Sequence, residues 1–125
     1  MKGKSAKRLR VLIAEDSGET RKHLRELCST LPRLHVVGEA TNGLEAIEAV
    51  RNLKPDVLTL DIHMPKANGL EVLRTIRGQD VPRVVIVLTA FLNIFYRERC
   101  KQLMPIHSFD KITEFDRFLE LLKSL

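Results

Sequence analysis

Four short apolar runs in this 125-residue sequence end in chemically capable side chains. Glu15 and Asp16 follow Val11-Leu12-Ile13-Ala14, and Asp61 follows Val57-Leu58-Thr59-Leu60. Thr89 closes Val84-Val85-Ile86-Val87-Leu88, and Lys111 follows the weaker run at 106–110. If these runs are neighbouring strands, their ends bring three carboxylates, a hydroxyl and an ammonium to one edge. No apolar core needs that set. Clustered carboxylates repel unless a hard cation neutralises them. Few protein oxygens and a phosphate partner suit Mg2+, which keeps several waters. An aspartate beside such a cation can act as a nucleophile on phosphorus. Lys111 and the cation then offset charge on the phosphoryl oxygens, while Thr89 donates a hydrogen bond to the attached group.

The elements that must position these residues follow from the apolar pattern. Strands are predicted at 10–14, 34–40, 57–60, 84–88 and 106–110. Helices are predicted at 18–31, 42–53, from about 70 to Gly78, at 94–103 and at 114–125. Ser17 is placed to cap the first helix through Thr20. Leu24, Leu27, Cys28 and Leu31 follow the helical period behind it, and Leu44, Ile47 and Val50 or Leu53 do so in the second helix. Pro32, Pro55 and Pro105 punctuate the pattern. Apolar strands alternating with helices imply an α/β fold, a five-stranded parallel sheet covered on both faces in a (βα)5 three-layer sandwich. Such sheets bind ligands beyond the carboxyl ends of their strands, where the reactive residues stand.

Composition narrows the function. The length suits one domain, and the net charge of +5 resides in a basic tail over residues 1–8 and its neighbour Arg10. The remainder is neutral and offers no basic recognition helix for nucleic acid beyond a mild cluster at Arg97, Arg99 and Lys101. Cys28 and Cys100 have neither disulfide nor metal spacing and read as reduced thiols in helices. His23, His35 and His107 read as surface or packing residues. No apolar run is long enough to span a membrane or to form a signal-peptide core, so a cytoplasmic location is expected.

The segments VLIAEDS, VVGEATNGLEAIE, KPDVLTLDIHMPKANGLEVL, VVIVLTA and SFDK together resemble the receiver domain of bacterial two-component response regulators. The resemblance covers residues 9–125 and implies the flavodoxin-like, CheY-like fold. It implies Asp61 as phosphoacceptor, with Thr89 and Lys111 contacting the phosphoryl group. It implies Mg2+ held by Asp16, Asp61 and the backbone carbonyl of His63, with Glu15 acting mainly through water. Met64, Pro65 and Gly69 match the loop after the acceptor, with Gly69 allowing a tight turn. The implied phosphodonor is a histidine kinase or histidine phosphotransfer protein. The implied output surface is the fourth helix, fifth strand and fifth helix. The middle segments look most like receivers that carry a helix-turn-helix output domain, and the chain stops where one would begin. A single-domain regulator acting on a partner protein, as a monomer or weak dimer, is therefore expected.

Two positions depart from the pattern. Ile112 follows Lys111 where receivers usually have proline, so a trans peptide and an altered path are expected. Ser108 stands where many have a switch aromatic, and Phe109 should face the opposite side of the strand. Phe91, Phe95 and Tyr96 are expected to pack the start of the fourth helix. His63 and Phe91, two residues beyond Asp61 and Thr89, are expected to shield an acyl phosphate from water. The alternative function is a pseudo-receiver, an interaction module without productive phosphorylation. An aspartate-nucleophile phosphohydrolase would show an Asp-x-Asp pair, and Asp61-Ile62-His63 lacks the second acid. A nucleotide binder would want a glycine-rich first loop, where this chain has the acidic Glu15-Asp16.

Overall fold

The computed structural model describes residues 7–125, so the part of the basic tail carrying Lys2 and Lys4 lies outside the described residues. Strands and helices alternate from β1 (Leu9–Ala14), α1 (Gly18–Ser29) and β2 (Leu34–Ala40) to α2 (Gly43–Leu53) and β3 (Val57–Leu60). They continue through α3 (Gly69–Ile76), β4 (Val84–Thr89), α4 (Ile94–Leu103), β5 (His107–Asp110) and α5 (Phe115–Ser124). The strands form one sheet in the order β2-β1-β3-β4-β5, and every neighbouring pair is parallel.

The alternation of side chains along each strand builds two cores. Leu12, Ala14, Leu58, Leu60, Val85 and Val87 face one way and meet Ala46, Val50, Val72, Leu73, Ile76 and Cys100 of α2, α3 and α4. Val11, Ile13, Val57, Ile86 and Leu88 face the other way and meet Leu24, Cys28, Phe118 and Leu122 of α1 and α5. Central strands buried on both faces are nearly continuous in apolar residues, with Thr59 the buried polar exception in β3, which is why the runs are so plain in the sequence. Full burial of a side chain such as Phe118 contributes roughly 2–3 kcal/mol. The result is the expected (βα)5 three-layer α/β sandwich.

Helix starts are fixed by side-chain caps. Ser17 Oγ accepts from the N–H of Thr20, Asn42 from Glu45, Asn68 from Glu71 and Asn93 from Tyr96. Asn68 and Glu71 also form a reciprocal capping box, with Glu71 returning to the N–H of Asn68 at 3.0 Å.

Several boundaries differ from the expectation. The first helix stops at Ser29, short of Leu31, because the N–H groups of Thr30 and Leu31 bond back to Leu27 and Cys28 and turn the chain toward β2. Asn42 caps the second helix and Glu114 stands at the N-cap position of the fifth without a side-chain capping bond, whereas the pattern places both inside. Leu44 is exposed, contrary to its expected place on the buried face. Gly43 presses against the backbone of Ala67, so closely that a Cβ would lie 1.8 Å from the Ala67 oxygen. That contact rotates the inward stripe onto Gly43, Ala46 and Val50. Cys28 and Cys100 are buried free thiols, both pushed up to about 11 by burial. No helix among the described residues is long and apolar enough to cross a membrane.

Candidate functional site

Strands β1, β3, β4 and β5 end side by side, and their parallel register delivers the expected residues to one edge. Glu15 and Asp61 are buried, Asp16 is exposed, and carboxylate oxygens of all three lie within 4.8 Å of one another. The N–H of Asp61 donates to Ala14 O at 3.0 Å, and the N–H of Glu15 to Ala40 O at 2.9 Å. The sheet ladder thus extends into the site itself. Arg21 on α1 donates to the carbonyls of Glu15 and Asp16 at 2.9 and 3.1 Å, holding the acidic turn from outside.

Thr89, with no solvent exposure, donates its hydroxyl to Asp61 Oδ1. The N–H of His63 donates to the same oxygen at 3.0 Å. Asp61 Oδ2 carries a longer contact of 3.4 Å to Lys111 Nζ. Lys111 also donates to Glu15 Oε1 at 2.7 Å, and the N–H of Ser17 occupies Glu15 Oε2 at 3.0 Å. The N–H of Lys111 bonds Thr89 O at 3.0 Å, so the lysine leaves β5 alongside the threonine. The peptide between Lys111 and Ile112 is trans, and the chain leaving β5 brings the Lys111 ammonium to Asp61.

Charge in this pocket is unbalanced: three carboxylates face one ammonium. Burial pushes the Glu15 carboxyl up to about 7, against its hydrogen bonds from Lys111 and Ser17, and the charge of Asp61 adds to the rise. Burial opposes the charge on Lys111, but the hydrogen bond to Glu15 and the charge of Asp61 override it and raise its pKa.

Gly69 belongs to the site for a reason other than the expected tight turn. Its backbone φ is not in the left-handed region. A Cβ there would lie 2.7 Å from Asp61 O and from Ile62 Cα, so only glycine lets the start of α3 rest on the peptide joining Asp61 to Ile62. The left-handed residue of this loop is Lys66.

The aromatic residues do not sit as expected. Phe91 is 78% exposed with φ of 55°, and Phe95, 61% exposed, meets the Tyr96 ring edge-on at 5.5 Å without entering the core. Tyr96 alone of the three reaches the core, and it also meets the exposed His63 ring edge-on at 5.5 Å. Phe109 packs on Phe118 beneath the sheet, away from Ser108. The space left by the small Ser108 is used by Arg97, which donates to Ser108 O at 3.1 Å and pairs with Glu114. His23 stacks on Phe115 at 5.5 Å. Arg21, Arg97, Asp110 and Glu114 all carry structure around the site that the sequence pattern does not reveal, because each acts largely through backbone groups brought within reach only by the folded turns.

A parallel (βα)5 sandwich with an acidic pocket, a buried threonine and a lysine at its strand ends defines a class of phosphoryl-receiving signalling domains. The family model for the response regulator receiver domain matches residues 11–123. The chain belongs to that family, a CheY-like receiver domain of two-component signalling. It is 44% identical over 86 residues to a protein-glutamate methylesterase/protein-glutamine glutaminase of Pyrococcus abyssi, covering 69% of this chain and 23% of that protein. A protein of the same name from Myxococcus xanthus, numbered 5, is 49% identical over 83 residues, covering 66% of this chain and 24% of that one. The chain therefore spans about a quarter of the length of these relatives, and the activity in their names is theirs. The crystal structure of the response regulator domain of Thermotoga maritima CheB superposes with a TM-score of 0.83 at 32% identity, covering 94% of this chain and 93% of that one. The sequence relatives thus point to methylesterase receivers. DNA-binding regulators appear among the structural neighbours, for example one of the LuxR family from Staphylococcus aureus at 27% identity and a TM-score of 0.80, covering 93% of this chain and 97% of that chain.

Proposed function

We propose that this domain is a phosphorylation switch in which Asp61 takes a phosphoryl group from a phosphohistidine on a histidine kinase or histidine phosphotransfer protein. The observation that carries the reading is the convergence of Glu15, Asp16 and Asp61 with Thr89 and Lys111 on one sheet edge. The family's use of a histidine kinase as donor supports the partner class.

A divalent cation fits the pocket. Three carboxylates share it with one ammonium, and the most buried of them already carries a raised pKa for want of solvation. Asp16, Asp61 and the His63 carbonyl would hold Mg2+, which would supply charge neutralisation and a template for phosphoryl oxygens. Glu15 has both oxygens engaged by Lys111 and Ser17, which suits it to act through water.

The chain's own groups do the rest. An Asp61 carboxylate oxygen forms the new O–P bond as the donor's N–P bond breaks, and the electron pair returns to the imidazole nitrogen, which takes up a proton. Asp61 Oδ1 is held by two donors, so the carboxylate is oriented before any donor arrives. Lys111 offsets the phosphoryl charge. Thr89 exchanges its hydrogen bond to Asp61 for one to the attached group. That exchange shifts the loop after β4 and with it the surface of α4, β5 and α5, biasing an existing equilibrium. On this reading the domain works in the cytoplasm and its output is a partner protein.

Intact mass after incubation with acetyl phosphate and Mg2+ tests it. One added phosphoryl group, absent in Asp61→Asn and in chelator, is expected. A folded protein that gains no mass with acetyl phosphate or phosphoramidate would instead be a pseudo-receiver, and binding partners would carry its function.

A further inference from the structure

Asp110 is the charged residue at the site's edge that the phosphoryl chemistry leaves unused. It directly precedes Lys111, yet its carboxylate turns away from the pocket. Oδ1 accepts from the N–H groups of Ile112 and Thr113 at 2.8 and 3.1 Å. Oδ2 accepts from the N–H of Leu92 at 3.0 Å, across to the loop that follows Thr89. One side chain, 9% exposed, therefore holds both the turn after Lys111 and the loop after Thr89. Its backbone is gripped as well: the N–H of Asp110 donates to Glu114 Oε1 at 2.9 Å, and the N–H of Glu114 returns to Asp110 O at 2.8 Å. Glu114 Oε1 is also the partner of Arg97 on α4.

We infer that Asp110 is a positioning residue, a strut that makes the Thr89 loop and the Lys111 loop move as one piece. The turn carrying Lys111 has no proline to set its path, since Ile112 is the next residue. Asp110 supplies the constraint through three charge-assisted hydrogen bonds to backbone donors, stronger than neutral ones. Those bonds hold the Asp110 carboxyl below the usual carboxylate range, led by the one from Ile112 and then that from Thr113. Displacement of Leu92 pulls on Oδ2, and the same rigid carboxylate carries the pull to the turn behind Lys111. The Glu114 contact extends the path to Arg97 and Ser108. The inference rests on the phosphoryl-acceptor reading for its purpose, while the strut itself is a property of the unmodified protein.

Asp110→Asn separates the two. Asparagine has the same shape but a single acceptor oxygen, so it serves either the turn or Leu92 and not both. In the unmodified protein, 15N relaxation should show the backbone of residues 91–93 becoming more mobile in the variant, with the melting temperature within a few degrees of wild type. An unchanged loop would overturn the strut, whether or not the protein takes a phosphoryl group. With acetyl phosphate, the variant should be phosphorylated about tenfold more slowly. Its Mg2+ affinity should be unchanged, because Glu15, Asp16 and Asp61 are untouched. A wild-type rate would overturn the positioning role. A failure of wild type itself to gain mass would count against the acceptor reading alone, and the relaxation result would still decide the strut.

Discussion

Lys111 Nζ stands 2.7 Å from Glu15 Oε1 and 3.4 Å from Asp61 Oδ2, so the ammonium leans on Glu15 more closely than on Asp61. The lysine is a shared counter-ion, and its removal strands two buried carboxylates. Lys111→Met should lower stability by roughly 2–3 kcal/mol in metal-free buffer, below the range for deeply buried pairs because the ammonium keeps some solvent contact. Mg2+ should recover much of that loss. Urea unfolding with and without Mg2+ measures both, and a variant as stable as wild type without metal would contradict the shared role.

Glu15 gives the metal-free protein an unusual pH profile. Its folded pKa, about 7, lies above the ordinary 4.5. Between those values the folded state binds a proton that the unfolded state does not, so stability falls as pH rises. The contribution is fully present below pH 4.5 and is lost as pH passes through about 7, a fall on the order of 2–3 kcal/mol. Glu15→Gln should flatten that slope. Chemical unfolding at pH 5.5 and 8 reads the difference, and equal slopes in wild type and variant would remove Glu15 as its source.

Gly69→Ala should be costly where an exposed helix position would favour alanine. The added methyl would meet Asp61 O and Ile62 Cα, both backbone. Overpacking of this kind costs about 1–3 kcal/mol. Because the displaced peptide belongs to Asp61, phosphorylation by acetyl phosphate should slow more than in Asn68→Ala, which removes only the cap at about 1 kcal/mol. Comparable rates in the two variants would count against a role for Gly69 beyond stability.

His63 and Phe91 follow Asp61 and Thr89 by two residues, and both are exposed. If they screen the acyl phosphate from water, His63→Ala and Phe91→Ala should each hasten loss of the phosphoryl group several-fold. Phe91→Gly should also relieve the left-handed backbone at that position. Decay followed by intact mass after removing the donor gives the rates, and decay at the wild-type rate in both alanine variants would sink the shielding idea.

The strands were legible because the central β1, β3 and β4 are buried on both faces and are therefore almost wholly apolar between their ends. Glu15, Asp16, Asp61, Thr89 and Lys111 were legible for the complementary reason that each interrupts such a run at its end. Leu44 misled because helical period alone does not set phase; the contact of Gly43 with Ala67 does, and it joins segments over twenty residues apart. Phe91 and Phe95 misled because aromatics usually mark a core, whereas here they stand in solvent. Asp110 carries no signal in the sequence beyond standing next to Lys111. Only the fold shows its carboxylate spanning to Leu92.

The helix beside Thr89 is the least anchored in the domain. Cys100 is the one fully buried residue of α4, whereas the shorter α3 buries Gly69, Val72, Leu73 and Ile76. Local opening free energy scales with the apolar surface an element surrenders. A segment with one fully buried side chain, helped by the half-buried Tyr96 and Leu103, therefore surrenders less apolar surface on opening than its neighbours do. The helix with the fewest fully buried residues thus begins just beyond Thr89, whose hydroxyl bonds Asp61.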